Sequence, residues 1–533
     1  MFTDTSIRNS VSYNAIQKVF NIEYLIKEIS EFMTFEEKKI FYSMNKKLNT
    51  YFRNTIQYIS TKKIIKSPEI FLRFPNIKKL DLKSGWTIDM NVLRNSCYKN
   101  LESLRIQGDK YKDISAIEEL KELKTLILTS NKINDISFLC NLNKLTLLDL
   151  GNNKINDLTP LTGLNFLKSL SLHECAITNL DILNHKNFKT LEKLYIGQNK
   201  LLDNKYAFLQ NLSNLKVLNV YQNNLNSIDF LNFLNKDALY ELNLSENTIM
   251  DYSPLYKCNK LKILSLYHNK LYDISFLNNC ELEDLEEINI GNNYIIDFTP
   301  LQKLKKIKKL NVYGCNLEDI FFLENDNYHK MEYLNLGNNK IKDFSTLSLF
   351  TNLKYLNIYN NPNSSLLWLN DCKFKETVEE FNCGKNPVNS FILLQNLKNI
   401  KSLNISACNL KDISFLNCEN FFGIIKLNLS NNSIEDVSVL SLMTKLEELN
   451  LNNNQIQDIN FLDNKNSGIK ELNLANNHIS YIKPLLSLEK LEELNINNQY
   501  IDGCDDFKMK ANIIIIEAIK KNIRKCKENF KMC

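Results

Sequence analysis

One frame recurs along most of the chain: L-x-x-L-x-L-x-x-N. It reads LKTLILTSN from Leu123, LTLLDLGNN from Leu145, LKILSLYHN from Leu261 and LEELNLNNN from Leu446. With Ile, Val, Met, Phe or Cys admitted at the apolar places, 19 copies begin between Ile77 and Leu491, spaced 22 to 25 residues apart. One repeat of that length cannot bury its own apolar face, so neighbours must stack and share a core. Alternation sends the second and third leucines inward from a short strand and the residue between them outward. Each strand is then expected to pair in parallel with the strand of the next repeat.

The asparagine that ends the frame (Asn131, Asn153, Asn269, Asn454 and others) stands where the chain turns inward. Its amide is suited to backbone groups that the turn leaves buried, at roughly 0.5–1.5 kcal/mol each. Four residues later an aspartate recurs, as Asp135, Asp157, Asp273 and Asp458. A short acceptor ahead of a brief helical turn reads as a cap. One carboxylate per repeat does not build the converging oxygen shell that calcium needs.

These residues carry a resemblance to the leucine-rich-repeat family, over residues 77–499. The 22-residue spacing is similar to that of internalins and of the leucine-rich regulatory subunit of type-1 phosphatase. The resemblance implies an α/β fold: a leucine-rich-repeat solenoid, horseshoe or arc, with a concave parallel β-sheet and short 3₁₀-like convex turns. It also implies that Cys175, Cys315 and Cys408, which replace the frame asparagine, are tolerated there as structural residues. Fold alone does not fix a function.

Residues 1–70 lie outside the frame and are expected to form a helical N-terminal cap, with the solenoid at 71–506 and a C-terminal capping helix at 507–533. The stretch LIKEISEFMTFEEKKIFYSMNKKLN resembles an F-box. That resemblance implies adaptor contacts at Leu25, Ile26, Ile29, Phe32, Met33, Met44, Lys46 and Leu48. Departures are the leading Asn21-Ile22, where that family has Leu-Pro, and Lys38-Lys39 at places usually apolar. The resemblance would make the chain a substrate receptor of a cullin-type ubiquitin ligase. From Lys508 onward, Ile513, Ile516, Ile519 and Ile523 follow helical spacing.

Function classes narrow by what is missing. A net charge of +5 over 533 residues, without a Lys/Arg block, gives no nucleic-acid signature. The start MFTDTSIRNSVSYN is not a secretory signal, and the run Ile513 to Ile516 is too short to cross a bilayer. The 13 cysteines include no CxxC pair, which suits reduced thiols in a cytoplasmic or nuclear protein. Five dispersed histidines show no metal-ligand spacing, and no nucleophile stands beside a base. The expectation is a non-catalytic scaffold without cofactor that binds a protein partner on the concave face, with the ubiquitin-ligase receptor and, from the repeat class alone, a phosphatase regulatory subunit as the alternatives.

That face has two patterns. Its middle position is Asn twelve times, among them Asn219, Asn243, Asn289, Asn335 and Asn450. Amides stacked along the sheet would bond to one another as a ladder. The residue after the first leucine alternates in sign through Lys262, Glu286, Lys308, Glu332, Lys354, Glu379 and Lys401, which makes the repeating unit a pair of repeats. Tyr221, Tyr267, Tyr313 and Tyr359 occupy one place every 46 residues, with Ser245, Gly291, Gly337 and Gly384 on the strands between. His173 extends the row one step earlier. Two readings stay open for it: rings shielding the backbone of neighbouring glycines, or an amphipathic strip that holds the partner. Around Trp368, Asn361-Pro362 and Asn386-Pro387 interrupt the return half and mark a local distortion or a docking loop.

Overall fold

The structure, a computed structural model, describes residues 58–61 and 76–499, except 83–89, 109–113, 202 and 464–467. The chain divides into two compact units. Among the described residues, the first holds those up to Ile177 together with His185–Thr190, and the second holds Thr178–Asn184 and those from Leu191 onward.

In the first unit, strands Lys79–Leu82, Ser103–Ile106, Thr125–Ile127, Leu147–Asp149 and Ser169–Ser171 pair in parallel, each in register with the next. A strand ahead of the first frame, Tyr58–Thr61, pairs in parallel with Lys79–Leu82. The helical reading of residues 1–70 is therefore corrected at this point. The sequence Tyr-Ile-Ser-Thr is rich in residues that suit a pleated surface, and the open edge of Lys79–Leu82 offers it a partner. The remainder of that cap, the adaptor residues from Leu25 to Leu48, and the helix expected at 507–533 lie outside the described residues.

The second unit stacks fourteen described strands, from Lys193–Tyr195 to Glu493–Asn495. Most are three residues long, as at Ile263–Ser265, where Leu264 stands level with Leu242 before it and Ile288 after it. The inward residues form continuous apolar columns: Leu242, Leu264 and Leu310 are at most 1% exposed. Burying one such side chain stabilises the fold by roughly 1.5–3 kcal/mol.

The return halves are 3₁₀ turns, and among the described residues no α-helix occurs. Ser275–Asn278 shows why. The Asp273 carboxylate accepts the Ser275 backbone N–H at 2.7 Å and its hydroxyl at 2.7 Å, which starts a turn with few residues left to run. Asp157, Asp297 and Asp343 do the same for Thr159, Thr299 and Ser345. The aspartates are caps.

The paired repeat extends into this return-side core. Tyr252, Phe298 and Phe344 stand two residues before Pro254, Pro300 and Thr346, whereas Ile274, Ile320 and Leu366 stand two residues before Phe276, Phe322 and Trp368. Large and small side chains thus exchange places in alternate repeats, and the rings meet. Tyr252 stacks on Phe276 at 4.9 Å, Phe298 on Phe322 at 5.4 Å, and Phe344 meets Trp368 at 5.7 Å. Trp368, only 7% exposed, sits within this column, so the irregular repeat around it keeps the common core.

Candidate protein-binding face

The frame asparagine holds the turn at the end of each strand. Asn293 Nδ2 donates to the carbonyls of Leu266 at 2.9 Å and Ile290 at 2.8 Å. Its Oδ1 accepts the backbone N–H of Asn269 at 2.8 Å and of Leu271 at 3.0 Å. Cys175 and Cys315 supply only the donor half, through Sγ to Leu150 at 3.2 Å and to Ile290 at 3.3 Å. Burial pushes both thiols up to about 11, which leaves them poor nucleophiles.

The residue just before that asparagine takes a left-handed backbone, and in some repeats the residue just after it does so too, as at Asn224 and Lys270. The preceding residue is Asn152, His268, Asn292, Asn338, Asn360, Asn431 and Asn453 in seven repeats, with φ between 52° and 58°. Asparagine tolerates this region better than most side chains.

The outward asparagines differ from expectation. Each turns its Oδ1 back to the backbone N–H two residues along: Asn219 to Tyr221 at 3.1 Å, Asn289 to Gly291 at 3.2 Å, Asn357 to Tyr359 at 2.9 Å, Asn450 to Asn452 at 3.1 Å. A link from one strand to the next does occur, from Asn357 Nδ2 to Asn335 Oδ1 at 2.9 Å. The dominant bond, however, lies within each strand, because the chain leaves the sheet there and frees an N–H that a side-chain oxygen can reach.

The alternating charges pair as expected. Glu286 bonds Lys308 at 2.6 Å and Lys262 at 3.2 Å, and these ammonium groups hold its carboxyl below the usual range. Glu332 pairs with Lys354 at 2.9 Å and Glu379 with Lys401 at 2.7 Å.

The aromatic row lies against glycine, strand by strand. A Cβ added to Gly197 would stand 2.0 Å from Tyr221 Cδ1, and one added to Gly151 would stand 1.9 Å from His173 Cε1. Tyr267, Tyr313 and Tyr359 lie beside Gly291, Gly337 and Gly384, at 3.3, 3.0 and 3.1 Å from the corresponding Cβ positions. The phenols are tied as well: Tyr221 donates to Gln198 Oε1 at 2.6 Å, and Tyr267 accepts from Asn292 Nδ2. Each ring covers backbone that its glycine neighbour would otherwise expose, and each stays half-buried.

A second aromatic feature escaped the sequence reading. Tyr333 and Tyr355, level with each other on adjacent strands, stack with centroids 4.1 Å apart and planes 9° apart. Burial and the neighbouring Tyr333 phenol hold the Tyr355 hydroxyl well above the usual phenol range. The pair is bounded in register by Lys309, itself 3.0 Å from Glu287, and by Glu380. With Tyr313 and Tyr359 it puts four tyrosines on three consecutive strands. The sequence signal was two aromatics at one frame position in successive repeats, in MEYLNL and LKYLNI.

Among the described residues no helix is long and apolar enough to cross a membrane. Residues 121–163, 424–464 and 467–508 match the family described as Leucine Rich repeats (2 copies). No curated protein sequence matches the chain. Among solved structures, the TLR13–ssRNA13 complex is similar at 21% identity over 82% of this chain and 69% of that one, with a TM-score of 0.54. An internalin from Listeria monocytogenes is 26% identical over 77% of this chain and 90% of its own, with a TM-score of 0.32. A leucine-rich-repeat protein of Leptospira interrogans is 19% identical over 84% and 97%, with a TM-score of 0.37. Leucine-rich repeats are thus shown at residues 121–163, 424–464 and 467–508, and the 19 frames of the chain share their pattern.

Proposed function

We propose that the protein is a non-catalytic scaffold that binds a protein partner on the outward face of its sheet, centred on Tyr313, Tyr333, Tyr355 and Tyr359. The observation that carries this reading is the Tyr333–Tyr355 stack, an aromatic surface held on a face otherwise lined by asparagine and ion pairs. Tyrosine supplies large contact area at low entropy cost and is enriched where binding energy concentrates. Tyr221 and Tyr267 add to this face as flanking contacts, and His173 is the corresponding candidate on the first unit. The backbone bonds of the outward asparagines support it further, since pre-organised side chains lose less freedom on binding.

Reduced ladder thiols at Cys175, Cys315 and Cys408 support a reducing compartment, cytoplasmic or nuclear. Adaptor docking through Leu25, Ile26, Ile29, Phe32, Met33, Met44, Lys46 and Leu48 rests on the sequence of residues 20–52 alone. A purified ubiquitin-ligase adaptor that ignores the full chain would end that branch. The main reading is tested by affinity capture with mass spectrometry, comparing the wild-type chain with Tyr333→Ala/Tyr355→Ala. The variant is expected to fold and to lose the principal captured protein. Equal capture by the folded variant sinks the proposal.

A further inference from the structure

The edge of the sheet carries an apolar strip that the repeat does not require. Three residues after the frame asparagine most repeats place a polar side chain, as at Asn134, Asn156, Asn226, Lys342 and Gln457. Three consecutive repeats place Met250, Tyr272 and Ile296 there instead, and these are 86%, 62% and 84% exposed. Tyr294, 50% exposed, stacks on Tyr272 with centroids 5.4 Å apart. The Ile296 N–H donates to the Tyr272 carbonyl at 3.2 Å and the Met250 N–H to that of Asn226 at 3.1 Å, so the three side chains hold equivalent places. Single exposed apolar residues are ordinary, but four contiguous ones form the kind of patch that marks a contact surface.

The strip is edged with negative charge. Asp251, Asp273 and Asp297 directly follow its three residues and are exposed, and Glu318 and Asp319 continue the border in the next repeat. Each of the three aspartates is fixed by a backbone N–H, from Ser253, Ser275 and Thr299, at 2.8, 2.7 and 2.9 Å. Lys270 is the cation nearest in sequence to this edge.

Spacing selects the shape of the occupant. Two repeat intervals at the strand separation amount to about 10 Å. Seven residues of helix rise about 10.5 Å, so side chains at i, i+3 or i+4, and i+7 fall in step with Met250, Tyr272 and Ile296. We propose that this strip docks an amphipathic helix of a partner protein, apolar along one face and bordered by lysine and arginine. The surface is distinct from the tyrosine patch on the sheet, and the proposal stands independently of that reading.

The test is fluorescence anisotropy with the full chain and three labelled synthetic helical peptides. One carries leucine at i, i+3, i+4 and i+7 with flanking lysines; the second replaces the lysines by glutamate; the third replaces the leucines by serine. The lysine-flanked peptide is expected to bind at least tenfold more tightly than either control. Its affinity is expected to fall about tenfold in Met250→Ser/Tyr272→Ser/Ile296→Ser, checked for folding by circular dichroism, and to be unchanged in Tyr333→Ala/Tyr355→Ala. No binding of the lysine peptide, equal binding of the glutamate peptide, or an undiminished affinity in the serine variant overturns the proposal. Loss in the Tyr333/Tyr355 variant instead would assign the peptide to the sheet face and overturn it equally.

Discussion

Tyr221 folds back over Gly197, whereas Tyr267, at the same place two strands on, folds forward against Gly291. The strand between them carries Ser245, whose hydroxyl lies 2.7 Å from that of Ser265. A serine side chain occupies the place where either ring could have lain. Each tyrosine therefore turns to the neighbour that has no side chain. His173 likewise lies over a glycine, Gly151.

Gly197→Ala should displace the Tyr221 ring, because the new methyl would fall 2.0 Å from Cδ1. The expected loss of stability is about 1–3 kcal/mol, as for other overpacking changes. In a Tyr221→Ser background the same substitution should cost far less. Chemical denaturation of the four members of this cycle measures the coupling, and an additive cycle would refute the ring-over-glycine account.

Asn293→Ala leaves two buried N–H groups and three carbonyls without their side-chain partner. A loss of about 2–5 kcal/mol is expected, given the usual penalty for each stranded group. Asn293→Cys should fall between alanine and wild type, since a thiol donates at this place in Cys315 but brings no carbonyl acceptor. Unfolding midpoints for the three proteins give the order.

Acid should weaken the charge ladder. The folded carboxyl of Glu286 lies below its ordinary 4.5, chiefly through the hydrogen bond from Lys308. A depressed folded pKa means stability that is present above the unfolded value and lost as pH falls through the folded one. The thermal midpoint of wild type should therefore drop more steeply below about pH 4.5 than that of Glu286→Gln. The exposed setting keeps the effect at neutral pH small, under about 1 kcal/mol, and added salt should shrink it. Parallel melting curves for the two proteins across this range would contradict the assignment.

Much of this architecture was legible because it repeats at fixed offsets. The inward leucines, the frame asparagine, the capping aspartate and the Lys/Glu alternation all keep their places in the sequence, and each makes the contact its place predicts. What depends on a neighbour was harder to read. Ring direction at Tyr221 and Tyr267 is decided by Gly197, Ser245 and Gly291, not by the tyrosines. Tyr333 and Tyr355 sit at a frame position that accepts almost any side chain, so nothing in the pattern singled them out. The outward asparagines suggested a ladder along the sheet, but their oxygens serve the N–H groups released where each strand ends. Tyr58–Thr61 lacks the frame altogether, and its β-suited residues form a strand where the edge of Lys79–Leu82 offers a partner.

Phe298→Ala should open a return-side cavity where Phe298 meets Phe322, at a cost of about 3–5 kcal/mol. Tyr313→Ala, on the opposite side of the same stretch, should cost clearly less, since its half-buried ring closes no enclosed space. Thermal denaturation of the two variants ranks them, and the reverse order would show that the sheet-face rings carry more of the stability than the return-side stacks.

The two kinds of ring contact grip alternate joints. Tyr252–Phe276, Phe298–Phe322 and Phe344–Trp368 bind one set of neighbouring repeats from behind, and Tyr267, Tyr313 and Tyr359 bind the intervening set from the front. Bending that opens one face at a joint is thus resisted there, while the next joint resists the opposite motion. The joint that carries Phe344–Trp368 is an exception, for Tyr333–Tyr355 clamps it in front as well. That joint is held on both faces, so a partner arriving at those tyrosines meets a surface with less flexing to lose.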